Sequence, residues 1–259
     1  MFSRLAERLR AAAANVSVAK PDPVTRSAKR ATGSDIAPPV MSEKVSGQTP
    51  DKLPPVTHPA FDKAAFFAVL RGTNLRHQKP EQVEGTEMIL EKLKGLRASW
   101  VAYALATTWH ETAATMQPVK EYGGAGYFKR MYDPEGTRPN VARVLGNTMP
   151  GDGVKYAGRG YVQLTGRTNY KRAGEAVGYP LLANPDLAMR ADIAAEILRA
   201  GMIEGWFTGR KFATALPDAI ASREQFTKAR RIINGVDKSD KIAGYALDFQ
   251  AALIAGGWK

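Results

Sequence analysis

Apolar residues recur at three- and four-residue spacing over most of the chain after residue 60, which is the pattern of amphipathic helices. Gly72 follows the first such run and is a plausible C-terminal stop. No run alternates between apolar and polar residues as a half-buried strand would. The seven predicted helices cover residues 61–70, 83–93, 98–109, 168–177, 187–208, 222–233 and 239–255. The pattern therefore predicts a mainly α fold.

The third helix differs from the others because it is apolar nearly all round, from Trp100 to Trp109. A helix without a polar face is typical of the centre of a domain. It ends on the charged residue Glu111, and the chain then passes Pro118 before a second carboxylate at Glu121. Since Pro118 prevents a continuous helix, we expect the chain to turn back and bring the two acids to face each other.

Residues 122–160 are rich in glycine and turn residues, with aromatic and basic side chains between them. This composition predicts a loop that contains a hairpin or a short helix. A loop of this length within a compact domain is more often functional than idle.

The first 59 residues have a different composition. Residues 1–18 place Phe2, Leu5 and Leu9 at helical spacing, which predicts a short amphipathic helix or tail. Residues 19–59 are rich in proline and polar residues, which predicts a disordered or extended linker. Glu7 and a short alanine-rich core argue against a cleaved signal peptide. We expect residues 60–259 to form the catalytic domain.

The chain has 37 Lys and Arg against 25 Asp and Glu, a net charge of +12. Such a surplus predicts attraction to a polyanion. The basic residues are spread along the chain, which argues against a nucleic-acid partner. There is no cysteine, and the three histidines do not share a metal-ligand spacing, so we expect neither a bound metal nor a cofactor. No run is long enough to span a membrane.

Two carboxylates across a cleft can hydrolyse a glycosidic bond. Glu111 suits the proton donor, because desolvation at the end of an apolar helix would keep its carboxyl protonated. Glu121 lies in a polar segment and suits the base that activates water. An ordinary solvated helix end and a surface charge are the alternatives for these two residues.

A second segment, Gly158 to Thr165, carries further candidates. If it is extended, Tyr161, Gln163 and Thr165 point to one face. Tyr161 would then stack on a sugar ring, Gln163 would bind hydroxyl or N-acetyl groups, and Thr165 would hold a water. Arg159 is a further predicted substrate contact. The alternative is a structural turn in which Arg159 pairs with an acid.

His110-Glu111-Thr112, the Gly158–Thr165 segment with Asn169-Tyr170, and Ile233-Asn234-Gly235 occur in this order. Together they resemble glycoside hydrolase family 19, the chitinase-like and lysozyme-like family, and most closely its bacteriophage endolysin branch. The resemblance runs from about Ala60 to the C-terminus. It implies a two-lobed, lysozyme-like helical domain with a long loop-rich cleft, which cleaves β-1,4 bonds between N-acetylated amino sugars with inversion.

The resemblance also implies roles for single residues. Glu111 is the general acid, Thr165 positions the attacking water, and Gln163, Asn169 and Asn234 contact sugar. The base is less certain from sequence, because the second carboxylate lies further along the chain in plant members. Glu121 is the first choice, with Asp133 and Asp152 as rivals. Val236 stands where the family has a second glycine.

Three functions follow from these observations. The first is a peptidoglycan-degrading muramidase of phage origin, made in the bacterial cytoplasm and acting on the cell wall, since that polymer is anionic. The second is a chitinase, whose neutral substrate gives no reason for the charge. The third is a virion or tail component that docks through residues 1–59 and uses the fold as a wall-binding module. If the protein is a muramidase or a chitinase, we expect Glu111→Gln to abolish hydrolysis and to leave the melting temperature nearly unchanged.

Overall fold

The computed structural model describes residues 60–259. They form eleven α-helices, two short 3₁₀ helices and one two-stranded antiparallel sheet. The helices are α1 Lys63–Arg71, α2 Pro80–Lys92, α3 Ala98–Glu111, α4 Ala125–Tyr132, α5 Pro139–Leu145, α6 Asp152–Lys155, α7 Arg167–Val177, α8 Ala191–Glu204, α9 Phe212–Ala215, α10 Arg223–Ala229 and α11 Ser239–Ala255. The strands are β1 Val119–Lys120 and β2 Arg159–Gly160, and the 3₁₀ helices are Pro185–Met189 and Arg230–Ile232. The predicted mainly helical fold is confirmed.

Helix α3 is the centre of the main core, as its apolar sequence predicts. Twelve of its fourteen residues are buried. Helix α11 packs along α3, and both α1 and α10 pack on α11. Burial on all sides fixes the direction of α3, so that its C-terminal residue, Glu111, is presented at a defined place.

The chain leaves α3 through a Schellman motif. The N–H of Ala114 bonds to the carbonyl of Trp109 at 2.7 Å, and that of Ala113 bonds to His110 at 3.3 Å. Ala113 and Ala114 have φ of 52° and 67°, where glycine is usual. Left-handed backbone at alanine costs about 1–2 kcal/mol per residue, so the core must hold this turn in place. The turn directs the chain away from Glu111 towards β1.

Segment 122–160 is more ordered than its composition predicts. It contains α4, α5 and α6 and leads into β2. These helices surround a second, small core, formed by Phe128, Tyr132, Leu145 and Ala157. The sequence predicted a loop with a hairpin or a short helix, and the segment contains three short helices. Turn residues mark the ends of these short helices, and the few apolar residues between them are enough for one small core.

The remaining helix predictions are confirmed, with one correction. The run predicted over 187–208 is a 3₁₀ helix, Pro185–Met189, followed by α8. Arg190 separates the two with extended backbone. No helix among residues 60–259 is long and apolar enough to cross a membrane. The predicted helix over residues 1–18 and the linker over 19–59 lie outside the described residues.

Candidate active site

The carboxylate of Glu121 is held between the two strands and the small core. Its backbone N–H bonds to the Gly158 carbonyl at 2.8 Å, directly after β1. Its Oε1 accepts from the Tyr132 hydroxyl at 2.7 Å, and its Oε2 accepts from the Gly158 N–H at 3.1 Å. Burial, and then the Glu121 charge, raises the pKa of Tyr132, so Tyr132 remains a donor. Two donors stabilise the ionised form of Glu121.

Gln163 and Thr165 face the same place as Glu121. A methyl group added at Gly158 would lie 2.8 Å from Gln163 Oε1, 3.0 Å from Glu121 Oε2 and 3.2 Å from Thr165 Oγ1. Three side-chain oxygens therefore surround the bare Cα of Gly158. Any side chain at this position would press on these oxygens, so a glycine is needed for the three groups to converge beside the backbone.

The segment that carries Gln163 and Thr165 is a tight turn, not a straight strand. Arg159 and Leu164 bond to each other through both backbone groups, and Gln163 has a φ of 54°. The Gln163 side-chain amide donates to Val119 in β1 at 2.8 Å, which ties the turn to the other strand. The Asn169 side-chain amide donates to the Thr165 carbonyl at 2.7 Å and so holds this residue in place.

Two residues of this segment do not have the predicted surroundings. Tyr161 is fully buried, so the expected stacking surface for a sugar is not present. The turn breaks the alternation on which that prediction rested. Arg159 is 5% exposed, bonds to Asp186 at 2.7 Å and lies over the Tyr170 ring. The alternative of a structural turn with Arg159 paired to an acid is therefore observed, and the predicted substrate contact is not available.

Glu111 lies in a separate buried cluster. Its side chain is 5% exposed, and its Oε1 accepts from Arg230 Nη1 at 3.0 Å. Arg230 is completely buried and also donates through Nε to the carbonyl of Asp237 at 3.1 Å. Tyr103, two turns before Glu111 on the same face of α3, has its pKa raised by burial, against the opposing charge of Arg230.

Asn234 belongs to the same cluster. It follows Arg230 by four residues, and its N–H bonds to the Arg230 carbonyl at 3.0 Å. Its side chain is 2% exposed, with Nδ2 lacking a hydrogen-bond partner among residues 60–259.

The rival bases, Asp133 and Asp152, are both bound by other groups of the protein. Asp152 binds Arg167 through both carboxylate oxygens, at 2.6 and 2.7 Å, and accepts from two backbone N–H groups. Burial opposes ionisation, but these donors outweigh it and lower the pKa of Asp152. Asp133 is fully buried and accepts from the N–H groups of Gly151 and Gly153. Glu121 is therefore the carboxylate that converges with Gln163 and Thr165 at Gly158.

Sequence reasoning missed three residues that shape the two clusters. Tyr132 and Gly158 hold Glu121, and Arg230 holds Glu111. The only sequence signal for Arg230 is its position four residues before Asn234. No group of three or more potential metal ligands occurs within 60–259.

The family follows from the sequence comparison. The glycoside hydrolase family 19 model, described as chitinase class I, matches residues 94–236, which is more than half of the chain. The match includes Glu111, Glu121, Gln163, Thr165 and Asn234. The chain belongs to glycoside hydrolase family 19.

Individual relatives match over shorter stretches. Chitinase 3 of Oryza sativa subsp. japonica is 38% identical over 89 residues, which are 34% of this chain and 27% of the relative. The acidic endochitinase of Petunia hybrida is 38% identical over 92 residues, 35% of this chain and 30% of that protein. The matches thus span about a third or less of each relative. Among solved structures, chitinase C from Streptomyces griseus HUT6037 aligns with a TM-score of 0.44 at 20% identity, covering 74% of this chain and 76% of that one.

The Tyr132 hydroxyl gives a first prediction. Tyr132→Phe removes one hydrogen-bond donor from Glu121, so we expect kcat to fall about tenfold. In the pH profile of kcat, the acidic limb should move up by about one pH unit. The shift is upward because a carboxylate with fewer donors takes up a proton more easily. A matched control is Tyr156→Phe, which removes a hydroxyl bound to the Leu182 carbonyl at 3.1 Å. An unchanged acidic limb in Tyr132→Phe would contradict the role of Glu121 as base.

Gly158 gives a second prediction. Gly158→Ala places a methyl group among the oxygens of Glu121, Gln163 and Thr165. We expect kcat to fall at least about tenfold, because displaced oxygens no longer position the reacting groups. The free energy of unfolding should change less. Gly124→Ala is the control, because Gly124 has negative φ and nothing within 4 Å of an added methyl. Full activity in Gly158→Ala would show that catalysis does not depend on the arrangement of these three oxygens.

Proposed function

We propose that this protein hydrolyses the β-1,4 bonds of peptidoglycan with inversion, as a muramidase. The observation that carries the proposal is the convergence of the side-chain oxygens of Glu121, Gln163 and Thr165 at Gly158. A water bound to this group of oxygens would meet a carboxylate and a hydroxyl together. This is the arrangement that an inverting base needs.

The chemistry divides between the two clusters. Glu111 gives its proton to the glycosidic oxygen as the bond to the sugar breaks. Glu121 takes a proton from the water, which attacks the opposite face of the sugar. Thr165 orients the water, and its own hydroxyl donates to the Gln163 carbonyl at 2.9 Å, which leaves the oxygen as an acceptor.

The protonation of Glu111 depends on opposing effects. Burial and the negative end of the α3 dipole favour the neutral carboxyl. The Arg230 charge at 3.0 Å favours the ionised one. A bound strand that excludes water around Glu111, or that draws Arg230 away, would favour the neutral form that donates the proton.

The distribution of charge supports an anionic substrate. Residues 60–259 have 28 Lys and Arg against 20 Asp and Glu, a surplus of eight. Segment 120–172 has ten Lys and Arg against four Asp and Glu, so it carries six of these eight surplus positive charges. This segment surrounds Glu121 and contains both Gln163 and Thr165. A positive field at the cleft would attract the carboxylates of peptidoglycan and gives no advantage with neutral chitin.

Chitin hydrolysis is the second candidate, because the relatives that match are named chitinases. The two polymers share the β-1,4 bond between N-acetylated sugars, so the same acid and base serve both. The candidates differ in the groups that the sugars carry, and only peptidoglycan carries acidic ones.

One experiment separates the candidates. We expect the purified protein to release muropeptides with new reducing ends on N-acetylmuramic acid, as read by mass spectrometry. The rate should fall as salt rises, because the Debye length is about 10 Å at 0.1 M and shortens further. Chitin oligomers, which are neutral, serve as the control for salt. Hydrolysis of chitin oligomers without muropeptide release would show that the protein is a chitinase and not a muramidase.

The role of residues 1–59 as an arm that docks onto a virion or tail protein stays a prediction. Deletion of residues 1–59 tests it. Unchanged hydrolysis with lost particle association would support a docking arm. Unfolding of residues 60–259 would contradict it.

A further inference from the structure

A second cleft, of about 810 Å³, borders the end of α3. Its walls are the loop between α1 and α2, the turn after Glu111, and α11. We call it the arginine cleft, and its main lining residues are Arg71, Asn74, Arg76, Gln82, Trp109 and Asp248. Its volume is in the range of small-ligand sites, and it does not contain any predicted catalytic residue.

The frame of the arginine cleft is fixed before any ligand binds. Gln82 joins two of the walls, because its Nε2 donates to the Ala114 carbonyl at 2.7 Å and its Oε1 accepts from Gln78 N at 2.8 Å. The Trp109 ring lies 5.3 Å from the His77 ring and 6.4 Å from the Phe249 ring. A ligand would therefore meet a preformed surface and would not have to order the loop.

The cleft presents charges of both signs. Arg71 and Arg76 are exposed, and neither forms a salt bridge within residues 60–259. Asp248 is half-buried and also lacks such a pair, and burial raises its pKa against the opposing charge of Arg223. Guanidinium groups bind carboxylates as paired donors. The carboxyl of Asp248 suits an ammonium group and disfavours a ligand that is only anionic.

The cleft is close enough to the catalytic acid to accept a group attached to the bound sugar. Ala114, in its wall, follows Glu111 by three residues, so their Cα atoms are at most about 11 Å apart. An extended tetrapeptide spans up to about 14 Å. A peptide attached to a sugar next to the cleaved bond could therefore enter the cleft.

We propose that the arginine cleft binds the peptide stem of the glycan strand, with its carboxylates on Arg71 and Arg76 and its free amine on Asp248. This inference rests on the proposed action on peptidoglycan. It adds a specificity site, because strands that carry stems would be held at two places and bare strands at one.

The test is binding of a synthetic stem, alanyl-γ-glutamyl-lysyl-alanine, to the full-length protein by calorimetry. This probe has no glycosidic bond, so binding is measured apart from hydrolysis. We expect Arg71→Ala/Arg76→Ala to weaken binding at least tenfold, because the carboxylates of the stem lose both guanidinium partners. Asp248→Asn should also weaken it. The control, Arg172→Ala/Arg210→Ala, removes the same charge outside the cleft and should bind within about twofold of the unmodified protein.

A second measurement compares hydrolysis of stem-bearing strands with that of strands whose stems an amidase has removed. The Arg71→Ala/Arg76→Ala variant should lose its preference for stem-bearing strands and keep its rate on bare ones. The inference is overturned if this variant binds the stem as the unmodified protein does, or if inorganic phosphate binds as tightly as the stem. Both results are compatible with peptidoglycan hydrolysis. Failure of the proposed function would instead appear as no hydrolysis of either strand.

Discussion

Glu111→Gln should lower kcat on the proposed substrate by about 10²–10⁴, because the amide has no proton to give to the leaving oxygen. The substitution keeps the size and shape of the side chain, so binding of the strand should change little and KM should remain close to its original value. The measurement is initial release of reducing ends at saturating substrate. More than about a tenth of the original rate in this variant would exclude Glu111 as the acid.

The same substitution should also cost stability, which corrects the expectation from sequence of a nearly unchanged melting temperature. Arg230 is fully buried, and Glu111 is its salt-bridge partner within residues 60–259. Gln can accept one hydrogen bond from Arg230 but cannot balance its charge. Loss of one partner of a buried pair costs about 3–5 kcal/mol, and the remaining hydrogen bond should keep the loss near the lower end. Urea unfolding followed by circular dichroism measures this directly.

A control separates the two effects of the substitution. Glu175→Gln removes a carboxylate that is 68% exposed and forms only a 4.0 Å surface pair with Lys171. It should change stability by less than about 1 kcal/mol and leave kcat unchanged. Rates must be compared at a temperature where both variants are folded. A large activity loss at full helicity then reports chemistry and not unfolding.

The helices could be predicted because their information is local. The apolar run of α3 predicts a central buried helix without knowledge of its neighbours, and twelve of its residues are buried. Segment 122–160 could not be predicted in the same way. Its helices are short, and their stability depends on Phe128, Tyr132, Leu145 and Ala157 packing together from distant positions. The local composition predicts the turns between these helices but not the helices themselves.

The same difference between local and long-range information applies to the candidate site. Motif order predicted Glu121, Gln163 and Thr165, and the structure places all three around Gly158. The stacking role of Tyr161 failed because it depended on a straight strand, and a positive φ at Gln163 makes a turn. Arg230 was missed because its contact with Glu111 joins residues 119 apart, and no periodicity reaches that far.

Arg230 gives the last prediction. Arg230→Met keeps much of the side-chain volume and leaves the Glu111 carboxyl buried without that positive partner, at a cost of about 3–5 kcal/mol. Loss of the charge shifts the balance in the folded protein towards the neutral carboxyl. A carboxyl whose folded pKa is raised stabilises the fold at low pH, and this contribution is lost as pH rises. The variant should therefore be less destabilised at pH 4 than at pH 7.

Activity should respond in a way that a purely structural residue would not produce. In the proposed mechanism the neutral form of Glu111 donates the proton, so the alkaline limb of kcat/KM should move to higher pH in Arg230→Met. Arg230→Lys keeps the charge but not the two-sided contact with Glu111 and the Asp237 carbonyl, so it should lose stability with a smaller shift of that limb. A double-mutant cycle with Glu111→Gln should give a coupling energy of at least about 1 kcal/mol. If Arg230→Met loses stability equally at both pH values and its alkaline limb does not move, Arg230 supports the fold alone and does not set the protonation of the acid.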